Sequence, residues 1–273
     1  MQYNLTNEDI KEIQAIELEM LIEFDRICKK YNIVYSIDGG TLLGAVRHRG
    51  FIPWDDDADV IMNRKEYDKF LNVVDEELDK TKFYFQDMNR TDGYRWGYGK
   101  LRRKNTEFVR LNQENMPYQQ GVFMDVFVCD NVPDNYLRRM VCNGISFVYR
   151  KAFYSVIGKN VSTGIVKIIY CILSKIPERL LKKSYNEYIL IRNKKKTGWV
   201  KCLTFPACNK KYGYKREWYE DVIDMEFCGR IFKGTKKYDE YLKFLYGDYM
   251  VLPPVEKRKV HPVSKFKGLK KER

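Results

Sequence analysis

The sequence predicts an α+β fold in which a β-sheet core is flanked by helices and joined to an added, mainly helical region. Short β-rich runs alternate with amphipathic helical patterns up to about residue 135, and a long helical pattern then extends from Tyr136 to about Lys196. A chain of 273 residues with 44% apolar content can bury a substantial core. We therefore expect a sheet-bearing part in residues 1–135 and a mainly helical part in residues 136–273, or one compact domain that contains both.

The first predicted elements are a long helix, a short strand and a second helix. Isoleucine and leucine recur at near-helical spacing after a Thr6 start, which predicts a helix over residues 7–30. The run IVYSID predicts a strand that ends at Gly39 and Gly40, and TLLGAVRH opens the next helix. Backbone N–H groups at such a helix start face an anion, so Gly39, Gly40 and Thr41 are candidate phosphate contacts.

The elements that follow place carboxylates on strands. The run DADVIM alternates acidic and apolar residues, which predicts a strand with Asp57 and Asp59 on one face. A helix is expected from Arg64 to Leu78 and a strand at KFYFQD, followed by GYRWGYGKLRR as a strand or a loop that carries cations. A further strand, GVFMDVFVCD, holds Asp125 between apolar residues.

From Tyr136 onward, an apolar stripe is interleaved with lysine and arginine. Packing of this stripe against the rest of the fold is one explanation. The alternative, centred on residues 161–183, is a basic amphipathic helix on an anionic membrane surface. No apolar run approaches the roughly 20 residues that span a bilayer, and the N-terminus lacks the pattern of a signal peptide. We expect a cytoplasmic protein, with peripheral contact at the cytoplasmic face of the membrane left open.

Charge and cysteine content narrow the choice of partner. Fifty basic and 37 acidic residues give a net charge of +13, which favours a nucleotide, a phosphorylated glycan, a nucleic acid or a membrane. The seven cysteines are scattered and form no Cys-x-x-Cys pair, and the chain has only two histidines that could complete a zinc site. Reduced thiols in the cytoplasm are the simpler interpretation.

Three carboxylates form the candidate metal site. Asp57 and Asp59 can share a divalent cation, and Asp125 from another strand can complete an oxygen site for Mg²⁺ or Mn²⁺. Two such ions about 3.5 to 4 Å apart would stabilise both the attacking and the leaving oxygens of phosphoryl transfer. Four clustered carboxylates cannot all bind one ion without repulsion, so Asp55 is only the next candidate. Asp38 is expected to cap the glycine turn.

Basic groups near these acids are candidates for substrate binding and proton transfer. Arg47 and Arg49 can neutralise phosphate charge through bidentate hydrogen bonds. His48 can act as a general acid or base, with Asp125 as the alternative base. Further candidate anion contacts are Lys100, Arg258 and His261. A solvated surface role is the alternative for each of these three.

The segment GTLLGAVRHRGFIPWDDDADVIMNR resembles the signature of the LicD family, within the nucleotidyltransferase superfamily that also contains the fukutin-like proteins. The similarity continues through FMDVFVCDNVPD and YGDYMVLPPVEKRKVH, so it extends over nearly the whole chain. The superfamily pattern is a glycine turn, an acid-x-acid pair on one strand and one acid on a later strand. Here these are Gly39 and Gly40, Asp57 and Asp59, and Asp125. The long interval between Gly40 and Asp57 resembles the LicD subgroup.

The resemblance implies a nucleotidyltransferase-like mixed sheet and an enzyme that uses CDP-choline. Such an enzyme would transfer phosphocholine to a sugar of a bacterial surface glycan, such as a teichoic acid, lipopolysaccharide or capsule precursor, free or lipid-linked. CMP would leave after attack at the phosphorus distal to cytidine. Alternative donors are CDP-ribitol, CDP-glycerol, CDP-ethanolamine and a CMP-activated phosphonate. For the enzyme we expect no nucleic-acid partner. The remote alternative is a non-enzymatic module that binds nucleic acid or membrane.

Overall fold

The structure is a computed structural model that describes residues 2–206, 209–258 and 260–269. The α-helices in these ranges are α1 (Asn7–Lys30), α2 (Gly39–His48), α3 (Arg64–Glu77), α4 (Tyr136–Val161), α5 (Gly164–Leu173), α6 (Glu178–Asn193), α7 (Glu217–Glu220) and α8 (Tyr238–Tyr246). The strands are β1 (Ser36–Ile37), β2 (Asp59–Asn63), β3 (Phe83–Gln86), β4 (Gly99–Arg103), β5 (Glu107–Arg110), β6 (Phe123–Val132), β7 (Trp199–Lys201), β8 (Tyr214–Lys215), β9 (Val222–Phe227), β10 (Arg230–Thr235) and β11 (Val263–Lys267).

Helix α1 begins with a capping box. The Thr6 hydroxyl accepts a hydrogen bond from the Asp9 N–H at 3.1 Å, and the Asp9 carboxylate accepts one from the Thr6 N–H at 2.9 Å. Such a cap stabilises a helix by about 1 kcal/mol. Lys29 and Lys30 in the last turn complement the helix dipole at the other end. The helix predicted over residues 7–30 is confirmed with these bounds.

The main sheet is mixed, with the strand order β3, β4, β6, β2, β1, β10, β9. Strand β2 is parallel to β6 and β1 is parallel to β10, whereas the other neighbours in this order are antiparallel. All ten residues of β6 are buried, as expected for a central strand that is covered on both faces. A mixed sheet flanked by helices confirms the predicted α+β fold class.

Strands on both sides of residue 135 belong to the same sheet. Strands β9 and β10 lie late in the chain, yet β10 pairs with β1. Strand β7 likewise pairs with the end of β6. The helical pattern predicted up to Lys196 corresponds to α4, α5 and α6, after which the chain returns to strands. The division near residue 135 stays a prediction.

Two apolar clusters form the interior. The larger one joins α1, α2 and α3 to the sheet and includes Phe24, Phe70 and Val126. The second lies mainly under α4 and α6, where Phe153 and Tyr185 are buried. Among the helices that the structure describes, none has the length and apolar character needed to cross a membrane.

Candidate active site

A row of polar side chains crosses the middle of the sheet. Asp59 of β2 is the register partner of Asp125 of β6, and Asp125 is the register partner of Lys100 of β4. Gln86 of β3 lies opposite Lys100, and the Asp38 N–H donates to the Asp59 carbonyl at 2.9 Å. Side chains of register partners project from the same face of a sheet. The fold therefore brings these acids and one lysine onto one surface.

Asp57 lies just before β2, whereas the sequence analysis placed it on the strand. The Asp125 N–H donates to the Ala58 carbonyl at 2.9 Å, so pairing with β6 continues for one residue before Asp59. Asp57 is close enough for its charge to raise the pKa of Asp59, and the charge of Asp125 raises the pKa of Asp57. The structure thus gathers the three predicted metal ligands, although one of them precedes the strand.

The glycine pair lets two carboxylates approach the N-terminus of α2. Gly39 has a φ of +51°, which favours glycine, and a Cβ at Gly40 would lie 2.5 Å from Asp55 Oδ2. A Cβ at Gly39 would lie 3.3 Å from Asp59 Oδ2. The Thr41 hydroxyl accepts a hydrogen bond from the Asp59 N–H at 2.8 Å. This turn therefore fixes the backbone of a candidate ligand, and its phosphate contacts stay a prediction.

The clustered carboxylates repel one another. Burial raises the pKa of Asp59 well above its usual range, and the charges of Asp57 and Asp125 raise it further. Burial and neighbouring aspartates also raise the pKa of Asp55 to about 8. Burial likewise raises the pKa of Asp57. Such shifts mean that full ionisation of this cluster is unfavourable without added positive charge.

The donor chemistry of the row fits a hard divalent cation. Asp59 Oδ1 is buried and is without a hydrogen-bond partner among the described residues, and carboxylate oxygens suit Mg²⁺ and Mn²⁺. Across residues 2–206, 209–258 and 260–269, no three His, Cys, Asp or Glu side chains are already grouped closely enough to hold a metal. Lys100 Nζ donates to Asp125 Oδ1, so that oxygen is already engaged. Asp125 has a second carboxylate oxygen, Oδ2, so an ion in this row does not have to displace Lys100.

Lys100 is a buried cation, which excludes the surface role considered for it. The residue is 5% exposed, and its ammonium lies 3.5 Å from the centroid of the Phe123 ring. Burial lowers the pKa of Lys100 to about 8, although the Asp125 carboxylate acts in the opposite direction. The row therefore contains one buried cation, which is paired with Asp125, and its contact with a phosphate stays a prediction.

His261 reaches the same acids from the C-terminal segment. The backbone N–H of His261 donates to both carboxylate oxygens of Asp56, at 3.0 and 3.1 Å. Its ring Nε2 lies 3.7 Å from Asp57 Oδ2. Asp56 therefore anchors the C-terminal segment and is not free to face the candidate metal position, while His261 adds an imidazole ring beside Asp57.

The basic insert lies at the other end of α2. A rise of 1.5 Å per residue places His48 about 14 Å along the helix from Gly39. Arg47 Nη1 donates to the Tyr249 carbonyl at 2.7 Å, and Arg49 is exposed. Burial and the charge of Arg47 lower the pKa of His48, which favours the neutral form of its imidazole. The structure therefore does not place these three residues within the carboxylate row.

Trp54 connects this insert to the C-terminal segment. The His48 ring meets Trp54 edge to face with centroids 6.4 Å apart. The Arg258 guanidinium lies 4.2 Å from the centroid of the same Trp54 ring, which is within the range of a cation–π interaction. Arg258 Nε also donates to the Pro253 carbonyl at 3.1 Å. Arg258 is thus half-buried next to the acidic segment that begins at Asp55.

Sequence analysis missed Glu17, a buried acid on α1. Glu17 is 1% exposed, and burial raises its pKa well above the usual range, with the nearby aspartates adding to the effect. A signal was present, because Glu17 falls on the apolar stripe four residues after Ile13 and three before Met20.

Two tyrosines that border the site were also missed. The Tyr241 hydroxyl donates to Asp38 Oδ1 at 2.5 Å, and Asp38 occupies the N-cap position of α2 although its side chain makes no capping hydrogen bond. Tyr246 lies near enough to the acids that their charges, after burial, raise its pKa. The sequence carried no signal for either residue, since both are among 21 tyrosines.

Register-paired carboxylates on a mixed sheet, beside a glycine-pair helix start, define a transferase core of the nucleotidyltransferase class. The sequence model of a family described as "LicD/FKTN/FKRP, nucleotidyltransferase domain" matches residues 32–140. The "Lipopolysaccharide cholinephosphotransferase LicD" of Haemophilus influenzae is 30% identical over 269 residues, which cover 93% of this chain and 96% of that protein. The chain belongs to the LicD family.

Two rickettsial relatives share parts of the sequence. "Uncharacterized protein RP689" of Rickettsia prowazekii is 27% identical over 139 residues, which are 48% of each chain. "Uncharacterized protein RT0683" of Rickettsia typhi is 49% identical over 59 residues, which are 21% of this chain and 19% of that protein. Their names carry no functional information.

Proposed function

We propose that this protein transfers phosphocholine from CDP-choline to a sugar hydroxyl of a bacterial surface glycan and releases CMP. The register pairing of Asp59 with Asp125 carries the proposal, because it sets two carboxylates side by side in a chain that is 30% identical, over 93% of its length, to a lipopolysaccharide cholinephosphotransferase. The acceptor is a teichoic acid, lipopolysaccharide or capsule precursor, free or lipid-linked. The reaction takes place on the cytoplasmic side of the membrane.

In this proposal Asp57, Asp59 and Asp125 hold Mg²⁺ or Mn²⁺, and the transfer reaction is compatible with two bound ions. Bound divalent cations neutralise charge on the transferring phosphoryl group and on the leaving oxygen. The unpartnered Oδ1 of Asp59 and the raised pKa of Asp57 and Asp59 support this assignment.

The protein's own groups bind and orient the donor. Lys100, the buried cation beside Asp125, directs its ammonium at the phosphate oxygens. Backbone N–H groups from Gly39 to Thr41 at the start of α2 contribute a second set of donors. His261, beside Asp57, is placed to contact the same phosphates.

The transfer step breaks one bond and forms one. The acceptor hydroxyl oxygen attacks the phosphorus that carries choline, and the bond from this phosphorus to the bridging oxygen breaks. CMP leaves with the bonding electron pair, and a base removes the hydroxyl proton. Asp125 lies in the carboxylate row, whereas His48 lies about 14 Å along α2 from Gly39. This geometry favours Asp125 over His48 as the base, through whichever of its two carboxylate oxygens does not bind the ion.

A turnover assay tests the proposal. Purified protein is incubated with CDP-choline, Mg²⁺ and a glycan acceptor, and CMP release and glycan mass are measured. Asp57→Asn is expected to abolish both signals. Asp224→Asn is the matched control, because this carboxylate is 65% exposed on β9 and pairs with Lys233, and it should retain activity. Full activity in Asp57→Asn would refute the metal assignment.

The alternative donors are distinguished by binding. A ligand that binds only the native state raises the unfolding temperature by mass action. CDP-choline is therefore compared with CDP-ribitol, CDP-glycerol, CDP-ethanolamine and a CMP-activated phosphonate, each with Mg²⁺. A larger shift with another donor would displace choline from the proposal.

A further inference from the structure

The hairpin formed by α4 and α5 carries charge of one sign. From Asn135 to Pro177 the sequence contains seven cationic residues and neither aspartate nor glutamate. The cations are Arg138, Arg139, Arg150, Lys151, Lys159, Lys167 and Lys175, of which Arg139 is buried and the other six are exposed or half-buried. The chain as a whole has 37 acidic residues, so their absence here marks a local surface. An anionic partner would neutralise it.

Helix α5 is attached to α4 mainly through one side chain. Tyr170 is the one buried residue of this fully described helix. Its ring packs against Gly158, where an added Cβ would lie 2.6 Å from the ring, and its hydroxyl accepts a hydrogen bond from Lys151 at 3.0 Å. Leu173 is partly buried against the second apolar cluster, whereas the isoleucines of α5 are exposed.

The unpacked part of α5 is strongly apolar. Ile165 is 74% exposed, Ile168 is 60% exposed and Ile172 is 63% exposed, and their spacing places them on one side of the helix. Isoleucine is among the residues most often buried in soluble proteins, and a continuous exposed apolar patch marks an interaction site. Packing against the fold, one of the two explanations of this stripe, therefore does not hold for the isoleucine face of α5.

We propose that α5 and the adjoining cationic surface of α4 dock on an anionic lipid bilayer. Aliphatic side chains beside lysine are typical of helices that lie in the membrane interface, with the apolar face in the acyl region and the cations at the headgroups. Helix α5 has ten residues and is about 15 Å long, roughly half the thickness of the hydrocarbon core, so it lies along the surface.

The same features disfavour a protein partner. A second copy docked through this face would bring like charges together, which is unfavourable. Interfaces between proteins are enriched in aromatic residues and depleted of lysine, whereas this surface presents isoleucine and lysine. The proposal does not depend on the transfer reaction, but it would bring the site close to a lipid-linked acceptor.

Vesicle sedimentation tests the proposal with the full chain. Vesicles of phosphatidylcholine alone are compared with vesicles of equal parts phosphatidylcholine and phosphatidylglycerol. Soluble phosphocholine is present throughout, so that an active site that binds choline headgroups cannot retain the protein. We expect sedimentation with the anionic vesicles that weakens as salt is added.

Paired variants separate the apolar and the electrostatic contributions. Ile168→Gln with Ile172→Gln should lower the partition coefficient about tenfold, because the apolar face is lost. Ile231→Gln on β10, at a position 50% exposed, is the matched control and should have no effect. Lys167→Gln with Lys175→Gln should lower binding to anionic vesicles about tenfold, with the exposed Lys236→Gln as control.

Several results would overturn the proposal. The proposal is wrong if the wild-type protein stays in the supernatant with anionic vesicles. It is also wrong if the isoleucine variants bind these vesicles as well as the wild type does. Light scattering is recorded for the same samples without lipid. A dimer that dissociates in the Ile168→Gln, Ile172→Gln variant would assign this face to a second copy instead. Circular dichroism of each variant verifies that the fold is retained.

Discussion

The hydrogen bond from the Asp59 N–H to the Thr41 hydroxyl allows a sharp test of how the glycine turn supports the carboxylate row. The bond is 2.8 Å long, and Thr41 is 2% exposed. Thr41→Val keeps the volume of the side chain but removes the acceptor, which leaves the N–H without a partner. A buried unsatisfied donor costs about 1–3 kcal/mol.

That loss should appear in both stability and rate. A loss of about 2 kcal/mol lowers the urea midpoint by about 0.7 M if the denaturant slope is about 3 kcal/mol per molar. Because the turn no longer fixes the backbone of Asp59, the rate of CMP release should also fall about tenfold or more.

Thr41→Ser is the matched control. It keeps the hydroxyl and loses one methyl group, so stability falls by about 1 kcal/mol while the rate of CMP release stays close to wild type. If Thr41→Val matched Thr41→Ser in rate, the hydrogen bond would not position Asp59, and the role assigned to the turn would be refuted.

Three further predictions concern a buried ion pair, a buried thiol and the acidic cluster. Asp130→Asn should lower the free energy of unfolding by about 3 kcal/mol, because it leaves Arg64 without the carboxylate that it binds at 2.7 and 2.9 Å; unchanged urea unfolding would contradict this. Burial raises the pKa of Cys202 to about 12, so brief iodoacetamide treatment at neutral pH should label exposed Cys228 first, and peptide mapping that finds Cys202 labelled early would contradict its burial. Burial raises the pKa of Asp55 to about 8, so the folded state holds more protons than the unfolded state from about pH 4 to 8; in EDTA the unfolding temperature should fall as pH rises through this window, and Mg²⁺ should restore it most at the alkaline end. A midpoint that rises with pH in EDTA would count against the clustering.

The elements with strong local signals were predictable. Helix α1 follows from the Thr6 capping box and from apolar residues at helical spacing, and both are encoded within a few residues of each other. The long apolar run around Asp125 likewise predicted β6. Local pattern sufficed here because the dominant interactions are local or depend only on burial.

The site required information that no local pattern contains. The side-by-side position of Asp59 and Asp125 is set by the register of β2 on β6, and register depends on pairing between distant segments. The tether from His261 to Asp56 has the same long-range character. The position of Glu17 within an apolar stripe predicts that this acid is buried. The stripe does not show which charged residues lie near Glu17.

The exposure of α5 could not be predicted for a similar reason. Periodicity shows that a helix has an apolar side, but it does not show whether another element covers that side. The chain packs Tyr170 against Gly158 and leaves Ile165 and Ile168 uncovered, which only the tertiary structure reveals. Arg47 and Arg49 are close to the acids in the sequence, but they are not within the carboxylate row, because they lie at the C-terminal end of α2.

Direct titration of Mn²⁺ by calorimetry tests the central claim, that Asp57, Asp59 and Asp125 form a divalent-cation site. The wild type and the Asp224→Asn control should bind with the same affinity. Asp59→Asn should bind about tenfold more weakly or not at all, because it removes a ligand oxygen from the centre of the row. Binding of Mn²⁺ by Asp59→Asn with wild-type affinity would contradict the account.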